Sequence, residues 1–266
     1  MPVLEISLLG PPVVRCGDRT IVFTARKSAA LLYYLAAHPA QPLGRAQLAT
    51  LLWEEHDEAE GRNSLSTALS RLRRPLSALP FFPIDTAGDS ILWQPTPAAP
   101  TDLDRFVELT KASPGTGDPR GIEAAVALYR GPFLEAFDVR DSIGYAEWVR
   151  QERDHWQQRI LAAYRDLIDL EQGRERFDAA VRHAQRALAI DPLQEQLHQT
   201  LMRLYYQSGD RASAVAQFQT CERLLREGLD VGPSAESRSL RDAIVAGRLP
   251  PSASRTSALL AGHQRQ

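Results

Sequence analysis

The stretch GRNSLSTALSRLRRPL, Gly61 to Leu76, packs four arginines and no acid into an amphipathic helical pattern. At about 100° per residue, Leu65, Ala68, Leu69, Leu72 and Leu76 share one face, while Asn63, Thr67, Ser70 and Arg74 fall on the opposite one. The outward row is small and polar and ends in a guanidinium, so it can enter a major groove without steric conflict and still offer donors and acceptors to base edges. These four are the expected base-facing residues. Arg62, Arg71 and Arg73 flank the row where phosphates would lie, and Arg45 and Ser66 complete the expected phosphate set. An ordinary solvated helix face mixes both charge signs. This one does not.

Working outward, Arg45 to Leu52 reads as a short helix ending at Trp53. Arg26 to Ala37 reads as another, with Ala30, Leu31, Tyr34 and Leu35 at helical spacing and a stop at His38-Pro39. Before them, LEISLLG, VVRC and RTIVF read as strands, the last two joined by Gly17-Asp18. After the arginine-rich helix, FFPID and SILWQ flank Ala87-Gly88-Asp89 as a closing hairpin. Strands, three helices and a hairpin in this order predict a winged helix-turn-helix DNA-binding domain over residues 1–97. Its apolar set (Ile6, Leu8, Val22, Leu31, Leu35, Leu48, Leu52, Leu65, Leu69, Leu72, Ile91) is adequate for a small domain that folds alone.

The Pro-rich stretch QPTPAAP, Gln94 to Pro100, reads as a separator. Beyond it, residues 98–250 show no β alternation but an internal repeat. Ala180, Ala184 and Ala187 recur as Ala214, Phe218 and Cys221, a period of 34 residues, and Gln172-Gly173 and Ser208-Gly209 supply the preceding turns. This is the tetratricopeptide pattern. Asp191-Pro192 closes the first copy, and IEAAVALYRGPF, with Ala125 and Tyr129 at i, i+4, reads as a degenerate earlier one. Residues 251–266, rich in Ser, Ala and Arg, read as a flexible tail or the start of a linker. The predicted fold class is therefore an α+β winged helix-turn-helix domain followed by an all-α tetratricopeptide-like domain.

The 266 residues are 44% hydrophobic, enough for proper cores, and their formal net charge of −2 means that any attraction to nucleic acid is local. Up to Pro80 there are nine Lys/Arg against seven acids. Cys16 and Cys221 lie far apart, which speaks against a disulfide scaffold and for a reducing compartment. No apolar run approaches the length of a membrane span and the N-terminus lacks a signal-peptide pattern, so a cytoplasmic protein without a membrane partner is expected. Gly-rich phosphate loops, HExxH and CxxC spacings are missing, and the six histidines make no paired metal spacing. No catalytic residue, metal site or cofactor is expected. The acids Glu54, Glu55, Asp57 and Glu58 fall in the turn before the arginine-rich helix, where negative charge complements a helix N-terminus and also suits a protein partner.

RKSAALLYYLAAHPAQPLGRAQLATLLW, GRNSLSTALSRLRRPL, DLDRFVEL, AALYRGPFL, WVRQERDHW and DPLQEQLHQTLMRLYYQSGDRASAVAQF together resemble the Streptomyces antibiotic regulatory protein family over Leu4 to about Arg248. That resemblance implies a response-regulator-type winged helix followed by a bacterial transcriptional activator domain. It implies binding to direct-repeat promoter sites on double-stranded DNA, self-association on those repeats, and recruitment of RNA polymerase, commonly for secondary metabolism. It also makes Glu54, Glu55, Asp57 and Glu58 the polymerase-contact loop. Where the family usually carries Gly-Tyr and a basic residue at the wing, this chain has Gly88-Asp89 and no Lys or Arg from Ser77 to Asp104. Many members continue into ATPase or sensor domains, and a longer regulator would continue from Pro250. The competing reading is a tetratricopeptide interaction adaptor or sensor whose winged helix no longer binds DNA.

Overall fold

In the computed structural model, residues 3–76, 82–94, 99–111 and 119–249 are described, so the expected 97/98 boundary and the tail beyond residue 250 lie outside them. The chain forms two compact units, one of Met1–Pro114 with Ala124–Ile160, the other of Gly115–Glu123 with Leu161–Gln266. The first unit thus takes in residues well past the Pro-rich stretch.

In the first unit, β1 (Leu4–Ser7), β2 (Val13–Cys16) and β3 (Arg19–Ile21) form an antiparallel sheet in chain order. Then come α1 (Arg26–Ala37), β4 (Leu43–Gly44), α2 (Arg45–Leu52), α3 (Glu58–Leu76), β5 (Ile84–Ala87) and β6 (Ser90–Trp93). A second sheet has the order β4-β6-β5, with Leu43 opposite Ile91. The two-residue β4 is too short to show alternation in sequence. Helix α1 buries everything from Ser28 to Ala36, which is why its sequence is apolar nearly all round. Of the expected core set only Val22 is out of place: it is 79% exposed. Exposure alternates around it, with Ile21 and Phe23 half-buried and Val22 and Thr24 exposed, so Val22 falls on the outward side.

The unit is completed by α4 (Asp102–Lys111), the end of α5 (Arg120–Ala127) and the part of α6 (Ile143–Gly173) up to Ile160. Asp102 is buried, and both its oxygens accept from the Leu8 N–H at 2.8 Å, one also from the Leu9 N–H at 2.9 Å. Burial pushes this carboxyl above its usual range, against the lowering pull of those N–H donors. Next to it, the Arg130 and Leu134 N–H groups donate to the carbonyls of Leu9 and Leu8. Gly10, at φ 122°, lies so close to this segment that a Cβ would come within 2.9 Å of Arg130 Cβ. Phe133 is fully buried, Tyr34 meets Trp148 edge-on at 4.7 Å, and Tyr33 meets Phe137 at 5.1 Å. Helix α5 ends at Ala127, so Tyr129 is not one helical turn from Ala125 as the degenerate-repeat reading requires. The chain instead turns at Gly131-Pro132 to pair with Leu8 to Gly10, just past β1.

The second unit stacks α7 (Phe177–Ile190), α8 (Glu195–Gln207), α9 (Arg211–Leu229) and α10 (Ala235–Val245), each packed on the next. Ala180, Ala184 and Ala187 are fully buried, as are Ala214, Phe218 and Cys221 to within 3%, so small residues sit where helices cross. The repeat is strict: α7 and α9 start at Phe177 and Arg211, and the left-handed turn before each falls on Glu175 (φ 60°) and Gly209 (φ 86°). The first turn residue is therefore Glu175 rather than Gly173, and its left-handed backbone is held by the Glu175 and Arg176 N–H groups bonding back to Gln172 and Glu171. Burial pushes the Cys221 thiol up to about 11, so it packs as an inert small hydrophobe.

Two buried histidines give this unit a pH dependence. His198 Nε2 lies 2.9 Å from the Pro192 carbonyl and its Nδ1 2.6 Å from the Gln217 amide, a pairing suited to a neutral ring that donates from Nε2 and accepts at Nδ1. Burial, outweighing the Pro192 carbonyl and Glu195, holds its pKa below 6.5; burial also lowers His183, against the pull of Glu123. As pH falls through 6.5 the unfolded chain takes up protons that the folded chain refuses, so stability is full above that value and falls below it. Thermal melts at neutral and mildly acidic pH are expected to show the loss, and His198→Gln should lose less. An equal acid loss in the variant would assign the effect elsewhere.

Candidate nucleic-acid interface

Helix α3 begins at Glu58, three residues before the expected stretch opens at Gly61, because Asp57 caps it. Its Oδ1 accepts from the Glu60 N–H at 2.8 Å and its carbonyl from the Gly61 N–H at 2.8 Å. Asp57 followed three residues later by Glu60 is a capping-box spacing, a signal that was legible in the sequence. Gly61 is buried where α3 crosses α2, and a Cβ there would stand 3.4 Å from the Ala49 methyl. The crossing sets the pose of α3. Leu65, Ala68, Leu69, Leu72 and Leu76 are all buried, and Asn63, Thr67, Ser70 and Arg74 are all exposed on the opposite face. The structure thus brings the four expected base-facing residues into one solvent-facing row.

The flanks of α3 differ. On the wing side, the Arg62 Nε lies 3.4 Å from Glu58 and its Nη1 3.1 Å from Asp89 at the wing tip. The Asp89 carbonyl accepts from the Arg45 N–H at 2.9 Å. The wing is therefore fastened to the starts of α2 and α3 by its own acid, and Arg62 is a strut for it. Arg73 stacks over the Phe82 ring at 5.6 Å, and Ser66 Oγ donates to the Arg62 carbonyl at 2.9 Å. Arg71, on the far flank, is exposed and lines a cleft of about 790 Å³ with Asn63, Thr67, Lys27 and Arg140.

The acid cluster has internal partners. Glu54 Oε1 accepts from the Ile143 N–H at 2.6 Å and so caps α6. Ser142 Oγ next to it donates to the Leu52 carbonyl at 2.9 Å. Glu55 pairs with Lys27 at 2.6 Å, which with a backbone hydrogen bond holds its carboxyl below the usual range despite some desolvation. Asp57 caps α3 and Glu58 pairs with Arg62. Glu58 and Glu60 are helical, so the loop itself is only Glu54 to Asp57. Among the described residues no group of three or more His, Cys, Asp or Glu is placed to hold a metal, and no helix is long and apolar enough to cross a membrane.

The family described as transcriptional regulatory protein, C terminal, matches residues 19–87, and that described as bacterial transcriptional activator domain matches residues 101–245. The chain belongs to the bacterial transcriptional activator domain family. The activator domain and the winged helix occur together, in the order of the Streptomyces antibiotic regulatory proteins, so that resemblance holds. The regulatory protein AfsR of Streptomyces coelicolor is 27% identical over 246 residues, covering 91% of this chain and 24% of AfsR. The transcriptional regulatory protein EmbR of Mycobacterium tuberculosis is 25% identical over 251 residues, covering 91% of this chain and 63% of EmbR. The chain therefore spans about a quarter and somewhat under two thirds of these relatives. The structure titled Mycobacterium tuberculosis EmbR in complex with low affinity phosphopeptide shares the fold, with a TM-score of 0.77 at 23% identity over 98% of this chain and 70% of that one.

Proposed function

We propose that this protein is a cytoplasmic, sequence-specific transcriptional activator that reads promoter DNA with α3, occupies direct repeats as adjacent protomers and recruits RNA polymerase. The observation that carries the reading is the exposed row Asn63, Thr67, Ser70 and Arg74 on a helix whose other face is buried and whose pose is set by Gly61. Arg74 is the side chain in that row able to pair bidentately with guanine, so Arg74→Ala should cost about 1–3 kcal/mol at one base pair and relax preference there. Equal loss on every sequence in a binding-site selection would make Arg74 a phosphate contact instead. Paired occupancy is read by gel-shift titration of one-site and two-site duplexes, with a second protomer binding more tightly beside the first than on a lone site.

Glu54, Glu55 and Asp57 are tied into the fold by contacts of 2.6 to 2.8 Å, whereas Glu58 is exposed on the first turn of α3 and meets Arg62 only at 3.4 Å, so polymerase contact by the acid cluster is best tested at Glu58. Glu58→Lys is expected to keep DNA binding while lowering transcription in a purified system. Unchanged transcription would remove Glu58 from the contact. The adaptor reading is favoured by the acidic wing tip at Asp89. Salt-dependent retention on duplex DNA separates the two, since counterion release gives a steep slope only to a phosphate binder.

A further inference from the structure

Three clefts on the α1 side of α3 join into one furrow. The first, of about 370 Å³, is lined by Arg19 and shares Val22, Arg74 and Pro75 with the second, of about 670 Å³. The second shares Ala25, Ser28 and Arg71 with the third, of about 790 Å³, which is also lined by Arg26, Lys27 and Arg140. Five cations beside the outward row, together with Arg74 of the row itself, therefore line one track drawn from four parts of the chain: the β2–β3 hairpin, α3, the start of α1 and the loop before α6. Arg26 pairs with Asp138 at 3.0 Å and Lys27 with Glu55 at 2.6 Å, while Arg19, Arg71 and Arg140 are exposed. Asp141 is the other acid on the walls, so positive charge is in excess. On the opposite flank Arg62 is held by Glu58 and Asp89, and the wing carries no Lys or Arg.

We propose that one phosphate strand of bound DNA lies along this furrow from Arg19 to Arg140, so that the α1 flank and a residue of the activator domain supply the backbone contacts that the wing lacks. The proposal rests on the DNA-binding reading and names its electrostatic footing. From Asn63 to Pro75 the helical rise is about 18 Å, and a duplex strand carries one charge per about 3.4 Å of axis, so the track is long enough for several phosphates. Arg19 lies on a hairpin and Arg140 beyond the winged helix, which is why neither stood out beside the arginine-rich helix in the sequence.

The test is salt-dependent anisotropy of the full chain on a short random-sequence duplex. Each lost phosphate contact lowers the slope of log affinity against log salt by about one unit. Arg19→Ala with Arg140→Ala should lower it by about two, the Lys pair R19K/R140K should keep it, and Thr86→Ala on the wing should leave it unchanged. If the double alanine variant keeps the wild-type slope while Arg73→Ala, outside the furrow, lowers it, the furrow is not the track though the DNA-binding reading stands. If the wild-type chain shows no salt slope at all, both fall.

Discussion

A chain ending at residue 97 is expected to lose its cooperative unfolding transition, even though its own apolar residues look sufficient for a small domain. In the first unit, the strand end Leu8–Gly10 is held by Asp102 and by the backbone of Arg130 to Glu135. The faces of Tyr33 and Tyr34 on α1 are covered by Phe137 and Trp148. Removing these leaves aromatic surface bare and several buried backbone groups without partners, each costing about 1–3 kcal/mol. Against a total domain stability of about 5–15 kcal/mol, that exceeds what the truncated piece retains. Circular dichroism and denaturant titration of 1–97 beside the full chain check it. A sharp transition in 1–97 with native-like near-ultraviolet signal would show that the winged helix is self-sufficient.

Asp102→Ala in the intact chain is expected to destabilise the first unit by about 2–4 kcal/mol, because two buried N–H donors lose their only described acceptor. The desolvation that raises the Asp102 carboxyl already costs part of what those bonds return, which keeps the figure below the sum of three isolated bonds. Asp102→Asn retains one carbonyl acceptor and should lose less. The shift in the urea midpoint measures it, and a change under about 0.5 kcal/mol would mean that water replaces the carboxylate at Leu8 and Leu9.

The sequence by itself determined what local periodicity can carry. The bounds of α1 and α2, the buried and outward faces of α3, the wing hairpin at Gly88-Asp89 and the 34-residue repeat all follow from spacing within one or two helical turns or one hairpin, and the structure has them. Capping at Asp57 belongs to the same class and was there to be read. Tertiary structure alone decided the matters that depend on distant partners. The pairing of Glu54 with Ile143, of Asp102 with Leu8 and of Arg26 with Asp138 spans 89 to 112 residues, and no spacing rule relates such positions. That is why the acid cluster read as a free surface, why residues up to Ile160 joined the first unit, and why Arg140 came to stand beside α3. The left-handed backbone at Glu175 has the same origin, since it marks where a helix is made to stop by its neighbours, whereas Val22 is exposed because the period-2 alternation from Ile21 to Thr24 puts it on the outward side.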